Sequence, residues 1–180
     1  MRNTTNHWAV YHQSLGNTKS AYLSLSQAPD TNASFWNNTS PTSSVFTIGT
    51  DDIVNASQTY IAYVFAEIES YSRFGSYTGN GSTDGAFVFT GFRPAWVMVK
   101  RTDSSEPWVI MDNKRLGYNP NSKGIYANSS DAENDASGRY KDFVSNGFKA
   151  RGTSGEQNSS GGTYIYMAFA EAPFKYANGR

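Results

Sequence analysis

The stretch Thr59-Tyr-Ile-Ala-Tyr-Val-Phe-Ala-Glu67 and its counterpart Thr163-Tyr-Ile-Tyr-Met-Ala-Phe-Ala-Glu171 match at six of nine positions. Each is a run of aromatic and apolar residues closed by a carboxylate, the pattern of a strand buried on at least one face. Working outward, Trp8-Ala-Val10 pairs with Trp108-Val-Ile110, Leu15-Gly16 with Leu116-Gly117, and Phe46 with Phe148. The separations of 104, 100, 101 and 102 residues drift slowly. A diverged duplication with small loop insertions behaves this way, whereas chance similarity scatters. The expected fold is all-β, a β-sandwich of jelly-roll-like kind made from two diverged copies of a unit of about 100 residues. Residues 1–72 would form the first copy and residues 73–180 the second.

Further strand-like runs lie at 7–12, 21–25, 44–48, 86–90, 95–101, 108–111, 124–127 and 147–150, with 59–66 and 163–170 as the repeated pair. Turn clusters rich in Asn, Gly, Ser and Pro separate them. Asn80-Gly81 is a tight-turn signal, because both residues tolerate positive φ. No window keeps a 3.6-residue apolar period, and residues 131–135 could make one helical turn at most. The copies are unequal. Phe74 to Arg101 precedes the second Trp and holds about two strands, while only seven residues precede Trp8. A sandwich half lacking two strands exposes an edge, which proteins pair or cover. The first copy is therefore expected to be completed from outside this chain by β-augmentation, unless residues 74–101 serve one shared sandwich.

Composition narrows the function. Fifteen basic and fifteen acidic residues give zero net charge, and 4 Trp, 12 Tyr and 11 Phe make 27 aromatics, 15% of the chain. So many aromatics with only 17% charged residues exclude a disordered tail. The lack of a basic excess argues against electrostatic nucleic-acid binding. No apolar stretch approaches the ~20 residues of a membrane helix. Without Cys there are no disulfides, thiolate metal sites or cysteine nucleophiles.

Several motifs resemble a known family. The segments Phe74-Gly-Ser-Tyr-Thr-Gly-Asn-Gly-Ser-Thr-Asp-Gly85, Thr90-Gly-Phe-Arg-Pro-Ala-Trp96 and Phe143-Val-Ser-Asn-Gly-Phe148, with residues 163–174, resemble a repeated domain of unknown function. That domain occurs near the C-terminus of tail or tail-fibre-like virion proteins of tailed phages, many of them marine. Residues 7–50, with Trp36-Asn-Asn-Thr-Ser-Pro-Thr-Ser43, resemble the preceding copy, and Pro173-Phe-Lys-Tyr-Ala-Asn-Gly-Arg180 is similar to the family's C-termini. The resemblance implies a structural or adhesive role in the virion and supplies no catalytic residues. In such proteins the first copy opens with strands absent here, so Met1 is expected inside a longer parent.

Residue by residue, the chemistry reads as non-enzymatic, with no cofactor and no metal expected. His7 and His12 are five apart, so on a strand they face opposite ways and share no metal or proton relay. Glu67 and Glu171 fall one in each copy, where strand termination explains them better than the paired carboxylates of a glycosidase. Asp131-Ala-Glu-Asn-Asp135 has the oxygen density of a calcium loop. It departs from the EF-hand pattern, with Ala136 where Gly is needed and Asp142 where Glu is needed. Eight Asn-x-Ser/Thr sequons follow from abundant Asn, Ser and Thr. Gly79-Asn-Gly81 with Gly85 lacks the strand and helix of a phosphate loop.

Unmatched aromatics are the candidates for contact. Trp36 with Asn37, and Tyr118 with Asn119, offer an apolar ring beside an amide, the combination that binds neutral sugars. Inter-subunit packing is the competing reading. The expectation is a virion protein, a tail fibre or tail-tip component that self-associates, with a trimer fitting a fibre, and presents polar loops to a host-surface glycan or receptor. A capsid decoration or other scaffold protein is the alternative. A polysaccharide depolymerase would require carboxylates converging in one cleft.

Overall fold

In a computed structural model, which describes residues 5–135 and 138–172, the chain is all-β with three sheets and two single-turn helices. The first seventy residues hold β1 (Ala9–Val10), β2 (Lys19–Tyr22), β3 (Asp30–Thr31), α1 (Ala33–Trp36) and α2 (Asp52–Asn55). Then follow β4 (Ser72–Thr78), β5 (Phe87–Phe89), β6 (Pro94–Arg101), β7 (Val109–Asp112) and β8 (Lys123–Tyr126). The last elements are β9 (Asn134–Asp135), β10 (Lys141–Val144), β11 (Gly147–Ala150) and β12 (Thr163–Ala170). The sheets run β1-β2-β3, β10-β11-β5 and β4-β12-β6-β7-β8-β9.

The repeated stretch at the C-terminal side is the centre of the six-stranded sheet. β12 pairs antiparallel with β4 (Tyr166↔Gly75) and with β6 (Tyr166↔Val99), so both its edges are satisfied. Its alternation sorts its side chains. Tyr164, Tyr166 and Ala168 join Val97, Val99, Val109 and Met111 on one face, against Val88, Phe143 and Phe148 of the β10-β11-β5 sheet. Ile165 and Met98 point the other way, onto Trp108, Ala21 and Val10. Each fully buried Val or Ile contributes about 1.5–3 kcal/mol. Across β1 and β2, Tyr22, Phe35 and Trp36 form a third cluster with Tyr11 and Ile53. Trp108 joins the layers by donating its indole N–H to the Tyr22 carbonyl at 2.8 Å.

Local networks recur at spacings of 103 or 104 residues, except that Trp8 and Trp108 stand 100 apart. β2 meets β3 as Lys19↔Thr31 and Ser20↔Asp30, and β8 meets β9 as Lys123↔Asp135 and Gly124↔Asn134. Leu23 N donates to Trp8 O (2.9 Å) as Ala127 N does to Trp108 O (3.0 Å). Asn55 Nδ2 donates to Gly49 O (2.7 Å), and Asn158 Nδ2 to Gly152 O (2.9 Å). The Tyr60 hydroxyl accepts from Ala56 N and donates to Asp52 O; the Tyr164 hydroxyl accepts from Ser159 N and donates to Gly155 O. Gly49 and Gly152 lie so close to the preceding backbone that a Cβ would stand 2.0 Å from Ser34 O and 1.9 Å from Gly138 O.

Four expectations need correction. Residues 59–66 and 44–48 read as strands, yet neither forms one. A strand exists through its neighbours' hydrogen bonds, and among the described residues these segments have no ladder beside them. The stretch 131–135 makes no helical turn; Asn134–Asp135 instead extends the sheet beside β8. Ahead of Trp108 there are three strands, β4, β5 and β6, rather than two. The two short helices escaped the periodicity search because one turn cannot show a period. Side-chain caps fix them: Asn32 accepts from Ser34 N, and Asp51 from Ile53 N.

Candidate functional site

The largest anomaly of the surface is apolar. Ile61, Tyr63, Val64 and Phe65 are exposed in one segment, and Val45, Phe46 and Ile48 in another. The aligned stretch 163–170 is more buried: Val64 is 75% exposed, whereas Ala168, 104 residues on, is 0% exposed, and Met167 and Phe169 are half-buried. Trp8 is 47% exposed and Trp108 3%. The Trp8 ring stacks on Tyr63 at 6.3 Å. Together they line a groove of about 570 Å³ with Leu23, Ser24, Asn128 and Ser130. Phe65 rests against Phe169 (5.8 Å) and Phe74 (6.4 Å), on the outer margin of the β4-β12 pair. A run of large apolar side chains this accessible is unusual for a protein surface.

The sequence-derived contact residues separate. Trp36 is not in an exposed loop: it ends α1 only 7% exposed, gives its indole N–H to Lys19 O at 3.0 Å and packs edge-on to Tyr11. Its ring offers no face to a sugar, because a single helical turn points both Phe35 and Trp36 inward. Asn37, exposed with φ 50°, is the left-handed C-cap of that turn. Asn119 spends its amide on β10, donating to Phe143 O and accepting from Phe143 N, each at 3.0 Å. Tyr118 remains available, 68% exposed beside Gly117. Trp36 and Tyr118 therefore do not share a site.

The other candidates are occupied. His12 is buried, donating from Nε2 to Tyr166 O at 3.1 Å, and burial lowers its pKa against that bond's opposing pull. His7 lies against Ser24 and Tyr22 instead. Glu67 pairs with Arg73 at 2.7 Å, and Glu171 with Arg93 and Lys114. In the 131–135 loop, Glu133 binds Arg115 and Asp135 binds Lys123 and Ser122. Ala136 and Ser137 of that loop, like Pro173–Arg180, lie outside the described residues. No group of three or more metal-ligating side chains occurs among the described residues.

Two buried lysines gave no signal in the sequence, since lysine is ordinarily a surface residue. Lys100 donates to the carbonyls of Ser26, Arg101 and Glu106 at 2.8–3.0 Å, tying the first seventy residues to β6. Burial, partly opposed by Glu106, brings its pKa down to about 8. Lys141 lies wholly buried, 4.8 Å from the Phe148 ring centroid. Its Nζ finds no hydrogen-bond acceptor among the described residues. Burial, and then the nearby Arg139, lower its pKa to about 7. Beside it, Tyr126 donates to Glu156 at 2.6 Å while the Arg139 guanidinium lies 4.8 Å over the Tyr126 ring. This cluster is closed and packs the core.

No curated protein and no solved structure matches the chain. A family model described as a domain of unknown function, DUF7483, matches residues 1–173, and the chain belongs to that family.

Proposed function

We propose that the protein is a structural and adhesive component of a phage virion, a tail-fibre or tail-tip element that assembles through its apolar surface and presents polar loops to a host glycan or receptor. The observation that carries this reading is the exposure of Ile61 through Phe65 beside the half-open Trp8. Zero net charge leaves little long-range repulsion between copies. Of the titratable groups weighed as catalytic, Glu67 and Glu171 are in ion pairs, His12 bonds a backbone carbonyl and His7 bonds the Ser24 hydroxyl, which favours a non-catalytic role. Tyr118 is the residue whose exposed ring suits a sugar face.

The architecture that goes with this role is a duplicated, jelly-roll-like unit, residues 1–72 and 73–180. Its support is the recurrence of the Gly49/Gly152, Asn55/Asn158 and Tyr60/Tyr164 networks at spacings of 103 and 104 residues, together with the matching β2-β3 and β8-β9 registers. In the second half, β10-β11-β5 faces the six-stranded sheet across the Val97, Val99 and Phe148 core as two layers of a sandwich do.

Sedimentation velocity and a glycan array on the full chain test the function. The expected result is a discrete oligomer and glycan binding without shortening of the bound chains, with binding reduced by Tyr118→Ala. A monomer at all concentrations that is silent on the array would overturn the proposal. Assembly without glycan binding would point to a decoration or scaffold protein, and shortened glycans to a depolymerase.

A further inference from the structure

We propose that residues 59–66 are an acceptor strand, completed in the assembly by an antiparallel strand of β6 character from a partner polypeptide. The inference rests on the duplicated-unit reading and deepens it by naming what covers the apolar surface.

The argument starts from what the same sequence does in the second half. β12 carries Thr-Tyr-Ile at its start and Phe-Ala at its end, as residues 59–66 do, and lies between two strands. Its edge toward β6 pairs Ile165↔Lys100, Tyr166↔Val99, Ala168↔Val97 and Phe169↔Trp96. The anchor that precedes β12 exists in both halves: the Tyr60 hydroxyl holds the Asp52–Ala56 turn as Tyr164 holds Gly155–Ser159. The segment therefore leaves its turn in the same way, and residues 61–66 then have no strand ladder among the described residues. Strand β1 is in the same position. It pairs with β2 alone, whereas β7 pairs with β8 and also with β6. One added strand of β6 type would lie between β1 and residues 59–66, as β6 lies between β7 and β12.

The side chains agree. With Ile61 in the role of Ile165, its side chain would join Trp8 as Ile165 joins Trp108, which would bury the exposed indole. The occupant is thus an extended segment like β6, with Val at alternate positions as at Val97 and Val99 and a Trp beside the first of them. Main-chain bonds supply affinity and the alternate pockets supply register.

The test uses the full chain and a synthetic peptide of residues 92–101, Phe-Arg-Pro-Ala-Trp-Val-Met-Val-Lys-Arg, followed by hydrogen exchange with mass spectrometry. Amides of residues 59–66 and of β1 are expected to exchange about tenfold more slowly at saturating peptide. A scrambled peptide should have no effect, and Val64→Pro, placed in an exposed segment, should abolish the slowing without lowering Tm. No slowing in residues 59–66, or slowing confined to β12, would overturn the proposal. The duplicated-unit reading has its own readout: a crystal structure in which residues 8–60 fail to superpose on 108–164 sinks that reading, whatever the peptide does.

Discussion

Replacing Lys141 with Met should stabilise the protein at neutral and acidic pH and do progressively less as the pH rises. The side chain sits in β10 with its main chain paired to Ala150 and bonded to Asn121 in both directions, so a Met there keeps every backbone bond. Met also matches the unbranched stem and can fill the space over Phe148. In the folded protein the amine loses its proton near pH 7, while in the unfolded chain it holds it to 10.5. Between these values the unfolded chain binds more protons, so raising the pH through this window favours folding and lowering it costs stability. Below about 7 both states are charged and the penalty is constant. At about 1.4 kcal/mol per pH unit the full penalty is roughly 5 kcal/mol. Urea unfolding followed by tryptophan fluorescence at pH 6, 8 and 10 measures it. The advantage of Lys141→Met should be largest at pH 6, smaller at pH 8 and reduced to the cost of an unsatisfied neutral amine, about 1–3 kcal/mol, near pH 10.5. An advantage that does not change with pH would refute the reasoning, since it would mean that Lys141 is solvated or charge-paired in the fold.

Three further outcomes can be checked on purified protein. Gly152→Ala and Gly49→Ala should each lower stability by about 3 kcal/mol in thermal unfolding, because the new methyl would collide with a backbone carbonyl that cannot swing aside. Trp108→Ala should cost about 3–5 kcal/mol by urea titration, through a cavity and an orphaned Tyr22 carbonyl, whereas Trp8→Ala should stay within about 1 kcal/mol of wild type in the unassembled chain. Tyr118→Ala should leave Tm unchanged within experimental scatter, while Trp36→Ala should lower it markedly through the loss of a buried indole.

The parts of the fold legible in the sequence are those where local pattern and tertiary neighbours agree. β7 alternates between buried and half-buried positions, and β12 and β6 are apolar runs covered on both faces, which is what a sheet lying between two cores requires. Residues 59–66 show the limit of that logic: the same letters that make β12 a central strand leave an exposed extended segment when no ladder flanks them. Pattern reports which faces a strand could bury, not whether a neighbour is present. Trp36 was illegible for a different reason. Its polar neighbours Asn37 and Asn38 suggest a surface loop, but their positive φ values are the exit from a one-turn helix that has already turned the indole inward. Asn119 looked like a free amide, and only the fold shows the Phe143 backbone that consumes it. Lys100 and Lys141 carry no local mark of burial, because what buries them is contributed by residues as distant as Ser26 and Phe148.

On the duplication reading, the two halves also separate what the unit must keep from what it can exchange. The backbone devices are kept: a glycine where a carbonyl presses against Cα, an Asn amide on that glycine's carbonyl, and a Tyr hydroxyl bracing the next turn. The filling between them is not kept. Tyr22 meets Phe35 edge-on at 5.8 Å in the first half, while its counterpart Tyr126 meets the Arg139 guanidinium at 4.8 Å in the second. Ile53 and Val54 correspond to Glu156 and Gln157, which bond Tyr126, Arg139 and Met111. An apolar cluster and a largely paired polar one fill corresponding space, the polar one leaving the buried Gln157 Oε1 without a hydrogen-bond partner among the described residues. A backbone clash has no such alternative. The first half retains these backbone devices without the three strands that its counterpart has. Its β1–β2 pair is held instead by docking on the second half, through the Trp108 and Ile165 cluster and the bonds of Trp108 to Tyr22 and of Lys100 to Ser26.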